Sequence, residues 1–143
     1  MLIRDDELEK CTALKNDLLI CEGGEAGRAA VWESDLEVCF QNHIHRARFY
    51  GAINPYYAYR FFEKLNATGE INRYRKGVGI SNMSSKSLAY IVLPLPPLTE
   101  QHRIVAKVDQ LMSLCDALEA KLTKSQAKAE KLAAAAVQGL VAA

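Results

Sequence analysis

No stretch of this 143-residue sequence approaches the roughly 20 consecutive apolar residues that a membrane span requires. Runs such as Leu18–Cys21 and Ala133–Val137 fall far short, so no membrane insertion is expected. The first ten residues are acidic and lack a basic segment leading into an apolar one. They do not read as a secretory signal, and a cytoplasmic location is expected. Cysteine is sparse and scattered, with no Cys-x-x-Cys pair among Cys11, Cys21, Cys39 and Cys115. A disulfide framework is therefore not indicated, and reduced, mostly buried thiols are expected. Cys11, Cys21, Cys39 and His43 match no structural zinc spacing, so no metal is expected. A phosphate-cradling loop is missing too, because Gly23, Gly24 and Gly27 lead into a strand-like run and not into a helix. Only four prolines occur, and three of them fall within Pro94–Pro97.

Half of the residues are hydrophobic and about a quarter charged, the balance of a chain that folds around a core. The net charge of +1 conceals a strong asymmetry. Residues 1–40 hold 4 Lys/Arg against 10 Asp/Glu, residues 41–86 hold 8 against 2, and residues 87–143 hold 6 against 5. Such a central excess can supply phosphate contacts, or it can simply complement the acidic first segment within the fold.

Between residues 15 and 50, short apolar runs alternate with turn residues, which predicts strands. Leu18–Cys21 forms one and Ala29–Trp32 a second. A third opens at Val38–Phe40 and continues through Gln41 and Arg46 to Tyr50. Asn54-Pro55 then starts a helix, the asparagine as N-cap and the proline at the first position, where its missing N–H costs nothing. Tyr57, Ala58, Phe61, Phe62 and Leu65 recur at helical spacing, and Gly69 can end the helix, which should pack on the sheet. Residues 70–90 read as a polar loop. Leu93–Leu98 is a stiff connector, since its prolines can neither continue a helix nor sit inside a sheet.

From Thr99, a plausible N-cap, a long helix begins, although His102 stands where a full capping box would have Glu or Gln. Ile104, Val108, Leu111, Cys115, Leu118 and Leu122 follow the alternating four-three spacing of a heptad seam. A helix over residues 99–134 would be roughly 50 Å long. Nothing else in so short a chain could cover its stripe, so a second long helix from a partner is expected.

Residues 93–112, Leu-Pro-Leu-Pro-Pro-Leu-Thr-Glu-Gln-His-Arg-Ile-Val-Ala-Lys-Val-Asp-Gln-Leu-Met, resemble the junction in type I restriction-modification specificity subunits where a target-recognition domain passes through a proline-rich link into a coiled coil. Asp17–Cys21, Gly24–Trp32 and Cys39–Arg46 resemble later strands of that domain, and Ile80–Ser85 the loop before the link. The resemblance covers about residues 15–125. It implies an α+β fold: a partial target-recognition domain over residues 1–93, with a mixed sheet and a packed helix, then the link at 94–98 and the coiled-coil helix at 99–143. A full subunit of this family has two recognition domains and two helical regions, so the sequence is expected to be a C-terminal fragment or a half-subunit.

The resemblance further implies recognition of double-stranded DNA without catalysis, alongside modification and restriction subunits. No cofactor is expected here, S-adenosylmethionine belonging to the modification subunit. Readout needs cations for phosphates and polar side chains for base edges. Arg46, Arg48, Arg73, Arg75, Lys76 and Lys86 are candidates for the first role; Gln41, Asn42, His43, Asn82, Ser84 and Ser85 for either; Arg28, after the glycine turn, for a phosphate. Strand alternation would put Gln41, His43 and His45 on one face and Asn42, Ile44 and Arg46 on the other. Ile104, Val108, Leu111, Cys115, Leu118 and Leu122 are the candidate pairing residues, expected to join two copies of the chain. Two rival readings stand beside this. Asn54-Pro55-Tyr56-Tyr57 superficially resembles the Asn-Pro-Pro-Tyr motif of amino-methyltransferases, but it lacks the second proline and reads better as a helix start. A purely structural dimerisation module without DNA binding is the other.

Overall fold

The computed structural model of the chain describes residues 11–41, 43–77 and 81–141. Its strands are short: β1 (Thr12–Ala13), β2 (Leu18–Cys21), β3 (Gly23–Gly24), β4 (Ala29–Val31), β5 (Val38–Cys39), β6 (Ile44–Ala47) and β7 (Ser81–Asn82). Helices α1 (Pro55–Ala67), α2 (Ser85–Ala89) and α3 (Leu98–Val141) accompany them, with a 3₁₀ turn at Glu70–Arg73. The α+β class and the long final helix are as expected. Contacts divide the chain into two compact units, Met1–Val105 and Ala106–Ala143.

In the first unit β2 is the central strand of the order β4-β2-β6, antiparallel to both neighbours, with Ile20 opposite Ala29 on one side and His45 on the other. Alternation sends Leu18 and Ile20 into the core, where both are fully buried. Helix α1 covers them with Ala58, Phe62 and Leu65, and Ala26, Ile71 and Met83 complete the cluster. Asn54 caps α1 as predicted, its side-chain oxygen accepting the Tyr56 N–H at 2.9 Å, with Pro55 in the first turn. Thr68 closes the helix and Gly69 follows at φ 74°.

The third expected strand is broken. Val38–Cys39 pairs with β1, while Ile44–Ala47 pairs with β2. Between them His43 has φ 79°, a left-handed conformation that turns the chain and cancels the alternation predicted across residues 41–46. Residues 70–77 and 81–90 are also more ordered than a polar loop. Ile71 and Met83 are fully buried, and the Ser84 hydroxyl accepts the Ser87 N–H at 3.2 Å to cap α2. At Gly27, with φ +86°, an added Cβ would lie 2.6 Å from Ile71 Cγ1, so the backbone passes where no side chain fits.

Residues 91–97 carry no regular structure, as the prolines require. Ile91 and Leu93 pack against the core, and the Tyr57 hydroxyl donates to Pro94 O at 2.8 Å. Helix α3 starts at Leu98, with the Glu100 and Gln101 N–H groups both reaching Pro97 O. Thr99 therefore lies in the first turn and is not the cap expected of it. Gln101 is completely buried. Its Oε1 accepts the Asn54 N–H at 2.8 Å, and its Nε2 donates to Ala52 O at 2.9 Å and Pro96 O at 2.8 Å. One turn-forming loop, the link and the long helix thus meet at one side-chain amide.

The second unit holds helix α3 from Ala106 onward, and its residues from Leu111 to Ala135 are all exposed. Among the described residues, no helix is long and apolar enough to cross a membrane. Replacing Gln101 with Ala strands a buried N–H and two carbonyls. The Gln101→Ala variant is expected to lose about 2–4 kcal/mol of unfolding free energy, read from the urea midpoint at unchanged slope. A loss within error of zero would mean that these groups are not truly sequestered from water.

Candidate nucleic-acid interface

Two candidate cations turn out to be building material. The Arg48 guanidinium clasps Asp17, Nε donating to Oδ1 at 2.8 Å and Nη2 to Oδ2 at 2.7 Å, and it also reaches Thr12 O. Arg46 donates to the same carbonyl at 2.6 Å. Together they tie β1 to the three-stranded sheet. Burial of Asp17 acts to raise its pKa, but the Arg48 hydrogen bonds, helped by the Leu14 N–H, outweigh it and hold the carboxyl below its usual 3.8. Arg28 is exposed on the turn after Gly27 and pairs with Glu25, a contact too open to water to hold it firmly.

A second group converges on an open cleft of about 490 Å³. Its walls are Arg73, Tyr74, Arg75, Lys76, Ser84, Lys86, Ser87 and Tyr90. The 3₁₀ turn brings Arg73, and the chain beyond it brings Arg75 and Lys76. A two-way backbone hydrogen bond between Lys76 and Asn82, 2.8 Å each way, holds that stretch beside β7. Helix α2 supplies Lys86, Ser87 and, at its end, the ring of Tyr90, which is 77% exposed. Among the described residues, no acidic side chain lines the cleft. Cations around a concave surface raise the local positive potential and favour an anion there.

Of the other predicted contacts, Gln41, His43, Asn82 and Ser85 are exposed but do not line this cleft, and Asn42 lies outside the described residues. His45 is half-buried and donates to Met83 O at 2.7 Å. Sequence reasoning overlooked Tyr74, Ser87 and Tyr90. The one local sign for the last two is Ser84, a residue type favoured at N-caps, which starts the short helix that carries them.

On α3, Ile104 and Val108 are half-buried, while Leu111, Cys115, Leu118 and Leu122 are exposed, Leu122 by 68%. Cys115 thus departs from the expectation of mostly buried thiols, and Cys11, Cys21 and Cys39 are half-buried.

Comparison with known proteins decides the family. Residues 6–126 match the family described as Type I restriction modification DNA specificity domain. The chain belongs to it. Its sequence is 26% identical over 129 residues to the Type I restriction enzyme EcoBI specificity subunit of Escherichia coli, covering 90% of this chain and 27% of that protein. It is 28% identical over 80 residues to the EcoDI specificity subunit of the same organism, covering 56% of this chain and 18% of the relative. This specificity-domain chain thus spans about a quarter or less of the length of those relatives. A solved chain from "Structural basis underlying complex assembly and conformational transition of the type I R-M system" has the same fold, with a TM-score of 0.69 and 24% identity over 85% of this chain and 29% of that one.

Within the specificity domain, the methyltransferase-like tetrapeptide has structural work. Asn54 caps α1 and donates through Nδ2 to His102 Nδ1 at 3.0 Å, Tyr56 donates to Glu33, and Tyr57 to the proline link. Among the described residues, no three His, Cys, Asp or Glu side chains come together as metal ligands.

The Asp17–Arg48 clasp generates a pH prediction. A carboxyl whose folded pKa is depressed adds stability above its unfolded pKa, and that stability is lost as pH falls through the folded value. The wild-type domain should therefore lose stability progressively below about pH 4. Asp17→Asn should be less stable at neutral pH and show a flatter acid limb in pH-dependent urea titrations. Parallel acid limbs for the two proteins would contradict the assignment.

Proposed function

We propose that this chain reads one half of a two-part site on double-stranded DNA, as half of the specificity subunit of a type I restriction-modification complex, and performs no chemistry itself. The globular unit is the reader. Helix α3 is the spacer and the assembly element. The observation that carries this reading is the uncovered apolar stripe of Leu111, Cys115, Leu118 and Leu122 on a helix whose part up to residue 126 lies within the match to the DNA specificity domain.

Such a stripe wants a companion helix, because exposed leucines at heptad spacing are costly in water and fit the gaps of a like surface. In this reading a second copy supplies it, the two α3 helices running antiparallel. A helix of 44 residues is about 66 Å long, enough to set the separation of two reading lobes. Modification and restriction subunits would join the pair in the cytoplasm, the modification subunit bringing S-adenosylmethionine, while this chain needs no cofactor of its own. Arg28, Arg75, Lys76 and Lys86 are assigned to the DNA backbone, and Gln41, Asn42, His43, Asn82, Ser84 and Ser85 to backbone or base edges. Arg46 and Arg48, engaged with Thr12 and Asp17, are assigned to holding the reader's strands together.

Two measurements test the reading. Duplex DNA titrated with the full chain should bind with an affinity that drops roughly tenfold or more between 50 and 200 mM salt. Stable pairing with no DNA affinity at low salt would favour a dimerisation module instead. Separately, light scattering on Leu111→Asp/Leu118→Asp should report monomer where the wild type reports dimer. A wild type that stays monomeric at micromolar concentration would remove the pairing.

A further inference from the structure

Among the described residues, the Arg75 guanidinium is fixed in place by uncharged acceptors. Its Nε–H donates to Ala26 O at 2.6 Å, Nη2 to Asn66 Oδ1 at 2.7 Å and Nη1 to Asn72 Oδ1 at 2.9 Å. All three acceptors are uncharged. Asn66 is itself oriented, its amide donating to Gly27 O and Phe62 O. Four other described arginines, Arg28, Arg48, Arg60 and Arg103, each meet a carboxylate, whereas Arg46 donates to a backbone carbonyl. Among the described residues no salt bridge engages Arg73, Arg75, Lys76 or Lys86; Glu70, which Lys64 holds, acts on Arg73 through its field. Three used N–H groups leave Arg75 with two of its five donors.

A half-buried guanidinium normally meets a carboxylate or an external anion. Here the cleft adds three exposed cations, the hydroxyls of Ser84 and Ser87 and the ring of Tyr90, with no carboxylate among the described residues of its wall. Resting on the DNA-reading function above, we infer that this cleft seats backbone phosphates of duplex DNA without regard to sequence. Arg75 is the rigid anchor, and Arg73, Lys76 and Lys86 adjust to the strand. A phosphate contact fixes register but carries no sequence information, so base reading would fall to side chains other than these cations.

The experiment uses the full chain, short duplexes of several unrelated sequences, and the double variant Arg73→Glu/Lys86→Glu, whose exposed positions leave the core untouched. Lys124→Glu/Lys128→Glu on α3 matches its charge change. Anisotropy titrations across a salt series are expected to show the cleft variant losing about tenfold or more on every duplex alike, with the slope of log affinity against log salt smaller by about 2. The α3 variant should lose much less. If wild type binds duplexes but the cleft variant binds equally well, the cleft assignment fails and the DNA reading survives. Loss confined to one sequence would make this a base-reading surface and overturn the phosphate seat. Binding of inorganic phosphate or pyrophosphate that the cleft variant abolishes, with no duplex binding by wild type, would mark a small-anion site and sink both.

Discussion

A primary amide shut away from water has to satisfy its carbonyl and both N–H groups, and Gln101 does so with three backbone partners from two separate stretches. This constraint organises the first unit. Because its acceptor bond is to the N–H of Asn54, the residue that caps α1, it places the start of that helix and the first turn of α3 against each other. The Pro96 carbonyl brings the end of the link to the same point. With its beginning fixed, α1 lays Ala58, Phe62 and Leu65 over the buried face of β2. Each polar partner left unmet would cost about 1–3 kcal/mol, so the junction has few workable alternatives.

Arginine is used in two opposite ways. Arg48 spends its charge on Asp17, in a geometry that only a planar fork can make, and binds β1 to the sheet. Arg75 has an equally rigid setting built of amide and carbonyl oxygens. Position is bought there without cancelling the charge. The first arrangement already meets a carboxylate; the second is organised in advance for an anion, which lessens the ordering cost of taking one up.

Much of this architecture was legible in the residues. Asn54-Pro55 announced α1 because capping chemistry is local, and the prolines of the link together with the heptad spacing from Ile104 onward announced the passage into a long helix. The strand at Leu18–Cys21 was equally clear. What escaped depends on contacts between distant segments. A left-handed histidine at position 43 leaves no mark in an alternation pattern, so the strand through it was drawn unbroken. Ser84 capping α2 was hidden in a run that looked merely polar. The fates of Arg46, Arg48 and Arg75 could not be told apart, since the three look alike in sequence and differ only in which carbonyls and carboxylates the fold delivers to them.

Gly27 joins the core to the charged cleft mechanically. The absent Cβ leaves a gap that Ile71 fills, and Ile71 sits in the 3₁₀ turn that ends in Arg73, while the Gly27 carbonyl steadies Asn66, which in turn grips Arg75. A single methyl group at this bend would act as a wedge, levering the turn outward and loosening two cations together although it touches neither.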